Sequence, residues 1–359
     1  FDPNSFVHGI NKNEWNSLLN NRDKPMINKA ISGLYPPGST IKTLTALSAL
    51  ENDVVNSKLL VKCNGFIDLH GERFHCWKKE GHGYVSMRSA IKKSCDVYFY
   101  EVARRLGIDR LSTTAEKFGL GKKVLNNYSE EKAGVVPNTK WKIKELGKNW
   151  YIGETLHSGI GQGYFLTTPL QLSLMTAQIA NGGFKIKPRI LVDENAKISN
   201  LQKYSNHKNL TPGNVMSVDD QIFNFGLQPL FRNQENINFV KEAMFAATNE
   251  VGGTSYRSRY KDKKFMFAGK TGSSQIKRFT EEQRINEVKQ DSIDYLERDH
   301  AWFVAFAPVK DPKYAISVLV EHGGSGSKAA APIAKKIIKK VLERHQNRTS
   351  YSNRINEDI

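Results

Sequence analysis

Cysteine is scarce in this chain of 359 residues, with three in all, and a disulfide-stapled scaffold is thereby excluded. No apolar run approaches the roughly 18 residues of a bilayer-spanning helix, so the sequence does not read as a membrane channel. No secretory leader opens it. Internal repeats, low-complexity tracts and nucleic-acid-binding fold signatures are also missing. What is abundant is basic charge: 53 Lys and Arg against 36 Asp and Glu, a net +17. That balance suits nucleic acid, an anionic membrane surface or an acidic substrate. The basic residues are spread along the chain, however, and a compositional habit accounts for them equally well. Hydrophobic residues make up 39%, which excludes disorder over the whole length. The length suits one large domain or about two. Phe1 does not read as a native start, so a fragment that has lost an N-terminal anchor or export signal is expected.

Residues 1 to 38 are polar and turn-rich and end in the breaker Tyr35-Pro36-Pro37-Gly38. Ser39 then opens an apolar run at helical spacing, Ile41, Leu44, Leu47 and Leu50, which predicts a helix of about three turns. Residues 53 to 85 carry Cys, His, Gly and Trp with little periodicity and read as a loop-rich excursion. Helices are predicted over 86 to 106, broken at Ser94-Cys95-Asp96, over 109 to 118, from Thr168-Pro169 to Asn181 before Gly182-Gly183, and over 237 to 250. Strands are predicted over Phe265 to Ile276, Ala301 to Ala307 and Tyr314 to Glu321. A long solvated loop is predicted over 277 to 300, and 192 to 235 has no clear reading. An amphipathic helix is expected over Ala329 to Arg344, followed by a disordered tail at 346 to 359. Helices in the middle and strands near the end predict an α+β fold, helices packed on a mostly antiparallel sheet.

Three motifs carry chemistry. In Ser39-Thr40-Ile41-Lys42, residues i and i+3 share a helix face, so the amine can serve the hydroxyl as base. The helix start adds N–H groups for a developing oxyanion. In Ser94-Cys95-Asp96, the hydroxyl can relay a proton and Asp96 can orient Lys42 or a substrate amide; the plain alternative is a helix break with a capping Asp. In Lys270-Thr271-Gly272-Ser273-Ser274, on a predicted strand, Lys270 offers a cation and Thr271 a donor to a substrate carboxylate. Gly272 lets an extended peptide approach the strand edge. Each motif alone is common.

Together, in this order, they resemble the Ser-x-x-Lys, Ser-x-Asn-like and Lys-Thr-Gly set of penicillin-binding proteins and serine β-lactamases. The likeness covers nearly the whole chain: Phe1-Asp2-Pro3-Asn4, Gly159-Ile160-Gly161-Gln162-Gly163, Thr168-Pro169-Leu170-Gln171 and His300-Ala301-Trp302-Phe303-Val304 resemble further family segments. Asp96 stands where most of the family has Asn. That departure, with Trp77-Lys78-Lys79, Gly81-His82-Gly83 and Trp150-Tyr151-Ile152-Gly153, resembles the penicillin-binding protein 2 subfamily, the class B monofunctional enzymes of rod elongation in Gram-negative bacteria. The resemblance implies a transpeptidase domain over 1 to 345 with a β-lactamase-like fold, an antiparallel sheet flanked by helices beside an all-helical subdomain. It implies peptidoglycan D,D-transpeptidation that maintains cell shape. Ser39 would attack D-Ala-D-Ala, Lys42 act as base, Ser94 and Asp96 move protons and hold Lys42, and Lys270 and Thr271 bind the terminal carboxylate. Gly272, Ser273 and Ser274 would line the substrate strand, with the N–H groups of Ser39 and Ser273 as oxyanion hole. β-Lactams would acylate Ser39. No organic cofactor, no nucleic acid and no His triad is implied. A missing pedestal domain and membrane anchor, a RodA-type glycosyltransferase partner, an MreC-type scaffold and the periplasmic face of the inner membrane are.

The cysteines fall together as C-x12-C-x5-H-x12-C: Cys63, Cys76, His82 and Cys95. Cys3His is a tetrahedral zinc set, but this spacing fits no compact ribbon. Three buried thiols or a Cys63–Cys76 disulfide fit it too. The subfamily resemblance adds an expectation of structural zinc on these four residues, with His70 and His75 as alternative ligands. The excursion at 53 to 95 would then be tied to the Ser94 turn. A D,D-carboxypeptidase, a serine β-lactamase or a penicillin-sensing domain are the alternatives within the superfamily, and a non-enzymatic basic protein with a zinc module is the alternative outside it. No Glu is recognisable on a loop suited to deacylate a class A β-lactamase.

Overall fold

The first 38 residues bury little. Helix α1 (Lys12–Leu19) is capped by the Asn11 side chain yet buries none of its residues, and α2 (Lys29–Ser32) buries Ile31 alone. The chain enters the core at the Pro36-Pro37-Gly38 breaker. A 3-10 turn over Gly38–Ile41 tightens into α3 (Lys42–Glu51), every residue of which is buried. A helix covered on all sides lies at a domain's centre, not its surface. The computed structural model describes residues 1–125, 128–190, 228–277 and 290–357, the last twelve as backbone only. Residues 278–289 of the expected loop at 277 to 300, and most of the unread segment 192 to 235, therefore lie outside the described residues.

The excursion is not all loop. It holds β1 (Leu60–Cys63), β2 (Phe66–Leu69), β3 (Glu72–His75) and β4 (Gly83–Ser86). β1 pairs antiparallel with β4, and the β2–β3 hairpin is nested between them. Strands of four residues are too short to display a period of two. Gly65 and Gly81 make the crossing possible. Their φ values are +97° and +78°, and a Cβ on them would come 1.9 Å from Lys79 O and 2.1 Å from Cys63 O.

Helices α4 (Met87–Lys93) and α5 (Asp96–Leu106) break where expected, and α6 (Ile108–Lys117) follows. Two further helices, α7 (Thr139–Leu146) and α8 (Ile152–Gly159), are too short for periodicity to reveal. A partly buried ion pair, Lys142 Nζ to Glu154 Oε1 at 2.5 Å, joins them. α9 (Pro169–Ala180) starts on a Thr168/Gln171 capping box, with Pro at its first turn. α10 (Gln234–Asn249) packs beside α4 and α3.

Three antiparallel strands follow in the order β5 (Ala268–Ser274), β6 (His300–Ala307), β7 (Tyr314–Val320). On β6 the two faces go to different cores. Trp302, Val304 and Phe306 join the helices α3, α5, α9 and α10. Ala301, Phe303, Ala305 and Ala307 meet Ala331, Ala334, Ile338 and Leu342 of the last helix, α11 (Ala331–Glu357). Cover on both faces is why the strand reads as an unbroken apolar run. The α+β fold, an antiparallel sheet flanked by helices with a helical part beside it, is thus as expected. The last helix, α11, runs to Glu357, past the boundary drawn at 345, and after Pro332 no Gly or Pro interrupts it.

Candidate active site

One cleft of about 1190 Å³ runs between the sheet and the helical part. Ser39, from the turn before α3, lines it with Ser94 and Asp96 from the α4–α5 break and with Thr271, Gly272 and Ser273 of β5. Ser94 has φ +56° and ψ +42°, a left-handed conformation that few non-glycine residues adopt. It caps α4 and sets the Ser94 hydroxyl between two buried amines, 2.9 Å from Lys270 Nζ and 3.3 Å from Lys42 Nζ. Lys42 Nζ also donates to Ser94 O at 2.9 Å and to Asp96 Oδ1 at 2.7 Å. Asp96 Oδ2 in turn accepts the Trp77 N–H at 2.8 Å. Burial, then the Lys42 charge, pushes the Lys270 amine well below its ordinary range. Burial raises Asp96, against the pull of Lys42.

Ser39, Lys42, Ser94, Asp96, Lys270 and Thr271 therefore converge. Two placements differ from the sequence expectation. Lys270 is fully buried and donates to Ser94 and to Thr271 O at 2.8 Å, beneath the cleft instead of in it. Ser274 is buried as well and donates its hydroxyl to Pro36 O. Both follow from strand alternation: Lys270, Gly272 and Ser274 share the face of β5 that rests on the Ser39 turn and Ser94. Gly272 does line the cleft, but a Cβ there would lie 2.9 Å from Thr40 Cγ2 and 3.2 Å from Pro37 O, so the turn itself needs that glycine.

Several supports have no local signal in the sequence. Gln162 donates to Ser273 O at 3.3 Å, Gly38 N–H to Gly161 O at 2.9 Å, and Thr271 Oγ1 to Thr254 Oγ1 at 2.9 Å. The Trp302 indole N–H donates to Pro36 O at 3.0 Å. One residue earlier, Tyr35 OH donates to Glu321 Oε1 at 2.7 Å, Lys29 pairs with the same carboxylate, and the His300 ring stands 5.2 Å from that of Tyr35. This cluster fixes the entry to the Ser39 turn.

Burial, then His322, pushes His300 down to about 4, while Glu321, despite its burial, is held below the usual carboxylate range by Lys29 and Tyr35. An unfolded His titrates near 6.5. The stability tied to neutral His300 is therefore full above about pH 6.5 and is lost as pH falls through about 4, and Glu321 acts in the same direction. Melting temperature should fall across that window, and His300→Gln should flatten the fall. An unchanged slope in the variant would assign the loss elsewhere.

A second cluster sits behind Asp96. Cys63, Cys76, Cys95 and His82 bring their ligand atoms within 4.8 Å of one another, and all three thiols are free. His82 Nδ1 lies 3.7 Å from Cys63 Sγ and 3.5 Å from Cys76 Sγ. Tetrahedral zinc distances give a ligand–ligand edge of about 3.6 Å, so the donor set fits a metal ion. Burial raises the Cys63 thiol, and Cys76 hydrogen-bonding together with burial raises Cys95, while the hydrogen bond from Cys95, and after it that from His82, pulls Cys76 down against its burial. His70 and His75 are not in the cluster. The cluster touches the cleft directly: the Asp96 N–H donates to Cys76 Sγ at 3.4 Å, and Trp77, which holds Asp96, follows Cys76 in the chain.

Comparison with known proteins places this geometry. The penicillin binding protein transpeptidase domain matches residues 1–339. The chain is 36% identical to the peptidoglycan D,D-transpeptidase MrdA of Acinetobacter baumannii over 339 residues, 93% of this chain and 47% of that protein. It is 32% identical to MrdA of Escherichia coli, over 95% of this chain and 51% of that one. The chain spans about half the length of the curated relatives it matches. Penicillin-binding protein 2 of Helicobacter pylori, solved in complex with MreC, superposes with a TM-score of 0.77 at 32% identity, covering 95% of this chain and 55% of that one. The Pseudomonas aeruginosa protein bound to WCK 5153 gives 0.75 at 34%, covering 95% and 68%.

Proposed function

Because the chain belongs to the penicillin-binding protein transpeptidase family, we propose that its cleft cross-links peptidoglycan stem peptides through an acyl-enzyme on Ser39. The observation that carries this reading is the Ser94 hydroxyl held between Lys42 and Lys270, in the cleft that Ser39 lines. Ser39 Oγ attacks the penultimate D-Ala carbonyl as Lys42 takes its proton. The N–H groups of Ser39 and Ser273 stabilise the oxyanion. The C–N bond to the terminal D-Ala breaks, and Ser94, bonded to both lysines, returns the proton to the leaving amine. A stem-peptide amine then attacks the ester and releases Ser39. Asp96 positions Lys42, with Thr271 and Ser273 on the carboxylate and Lys270 behind them.

We assign Cys63, Cys76, His82 and Cys95 to structural zinc, on the strength of the donor set and its spacing. The ion would tie β1 and the Cys76–His82 segment to Cys95, and so hold Asp96 and Trp77 in place. An MreC-type scaffold, like that bound to the Helicobacter pylori relative, and a RodA-type glycosyltransferase are the proposed partners, at the periplasmic face of the inner membrane.

Intact-mass spectrometry after incubation with a penicillin tests the activity. The expected result is one covalent adduct that persists for hours. Among the described residues no glutamate lines the cleft to activate a deacylating water, which favours slow release. Fast return to the free mass would make the protein a β-lactamase, and no adduct on folded protein would remove the acyl-enzyme. With a D-Ala-D-Ala donor, hydrolysis in place of transfer to an amine would mark a carboxypeptidase.

A further inference from the structure

The cleft does not end at Ser39 and β5. Beyond Ser39 and β5 it continues onto the β2–β3 hairpin, where Asp68, Arg73 and Phe74 line it and the Phe74 ring packs 5.2 Å from that of His157 on α8. Asp68 and Arg73 stand directly across from each other in the hairpin register, and Arg73 Nε donates to Asp68 Oδ1 at 3.0 Å. The guanidinium also stacks 4.0 Å from the centroid of the Phe66 ring. A guanidinium has five N–H donors. Asp68 engages the one on Nε, and Arg73, which lines the cleft, remains 46% exposed, so its planar fork is accessible there. The hairpin itself is anchored. Phe74 packs edge-on against Tyr100 of α5 at 5.8 Å, Tyr100 OH donates to His75 O at 3.0 Å, and β3 runs on through Cys76 to Trp77, which holds Asp96. Arg73 is thus tied through β3 to the residues that hold Asp96, and it lines the cleft from the β2–β3 hairpin and not from β5.

We propose that the hairpin is the acceptor wall of the cleft, and that Arg73, oriented by Asp68 and Phe66, binds a carboxylate carried by the incoming amine. The substrate class this selects is an amino-acid-like amine with a free carboxylate. The inference rests on the transpeptidase reading. In the step it serves, the acceptor nitrogen forms an amide bond to the acyl carbon, the ester bond to Ser39 Oγ breaks, and the proton lost by the amine returns to Oγ.

The test uses an ester donor ending in D-lactate, with D-alanine and D-alaninamide as acceptors, and reads the ratio of transfer to hydrolysis. A charge-assisted contact corresponds to about tenfold or more. The chain as it stands should favour D-alanine over the amide by that factor. Arg73→Ala should erase the preference, Arg73→Lys should restore part of it, and Asp68→Asn should weaken it. Penicillin acylation, which uses the donor half alone, reports whether each variant is folded and competent. No preference in the parent, a preference that survives Arg73→Ala, or transfer to neither amine overturns the acceptor wall. So does a loss of penicillin acylation in Arg73→Ala equal to the loss of transfer. Failure of the parent to react with penicillin is a different result and removes the Ser39 reading itself.

Discussion

Ser39→Ala should leave no penicillin adduct at any incubation time, while Lys42→Ala should still acylate, about 10²- to 10⁴-fold more slowly, the range for loss of a positioned base. The two variants should separate further in stability. Ser39 is a half-buried hydroxyl at the cleft surface, and its removal leaves no charge exposed to an apolar core. Lys42 is fully buried, and its partner Asp96 is a buried carboxylate bonded otherwise to the Trp77 N–H. Deleting one member of a buried ion pair strands the other and costs about 3–5 kcal/mol. Urea unfolding should therefore place Ser39→Ala near the parent and Lys42→Ala well below it. The double variant Lys42→Ala with Asp96→Asn should recover part of the stability and none of the acylation rate. That non-additivity would show that the pair's stability and its chemistry are separable. Equal stability of the two single variants would mean that Asp96 does not depend on Lys42 for its charge.

The Lys42 pair also marks how far the sequence could be read. Ser-x-x-Lys fixes its own geometry, because residues three apart on a helix share a face. The Ser94 break between α4 and α5 was equally legible, since a local disruption of period is a local signal. Contacts between distant segments were not. Trp77 meets Asp96 from 19 residues away, Thr254 meets Thr271 from 17, and Tyr35 meets Glu321 from 286, each through atoms that no spacing rule connects. Strand register explains the placements on β5. Lys-Thr-Gly was read as a contiguous substrate surface, but a period of two turns Lys270 and Ser274 inward, toward Ser94 and Pro36. The four short strands of the excursion escaped because four residues are too few to display a period of two and because their pairing is nested. The three cysteines and His82 were legible as residue types, while their convergence depended on Gly65 and Gly81, whose role appears only when Lys79 and Cys63 pass against them.

That convergence makes the second large effect a metal effect. Native mass spectrometry should give one zinc per chain, lost on denaturation with three free thiols. Stripping it with a strong chelator, or Cys63→Ser, should lower the melting temperature by several degrees and slow penicillin acylation by about 10- to 100-fold, the scale seen when a supporting shell is lost. Stability falls because Cys63, Cys76 and Cys95 are buried beside one another, and without an ion their charges and hydrogen bonds must be met among themselves. Zinc-peptide binding energies of about 10–16 kcal/mol are an upper bound here, since α3 and α5 belong to an extensive apolar core of their own. Acylation falls by a different route. The Cys76 sulfur accepts the Asp96 N–H, and the next residue's N–H holds Asp96 Oδ2, so a loosened Cys76 frees the carboxylate that positions Lys42. The two readouts discriminate between explanations. A loss of stability with acylation intact would confine the cluster to the β1–β4 excursion. A two-proton mass deficit that persists under denaturation would replace the metal with a disulfide between two of the three sulfurs. Loss of both together, with acylation restored by added zinc, is the outcome that the path from Cys76 through Trp77 to Asp96 requires.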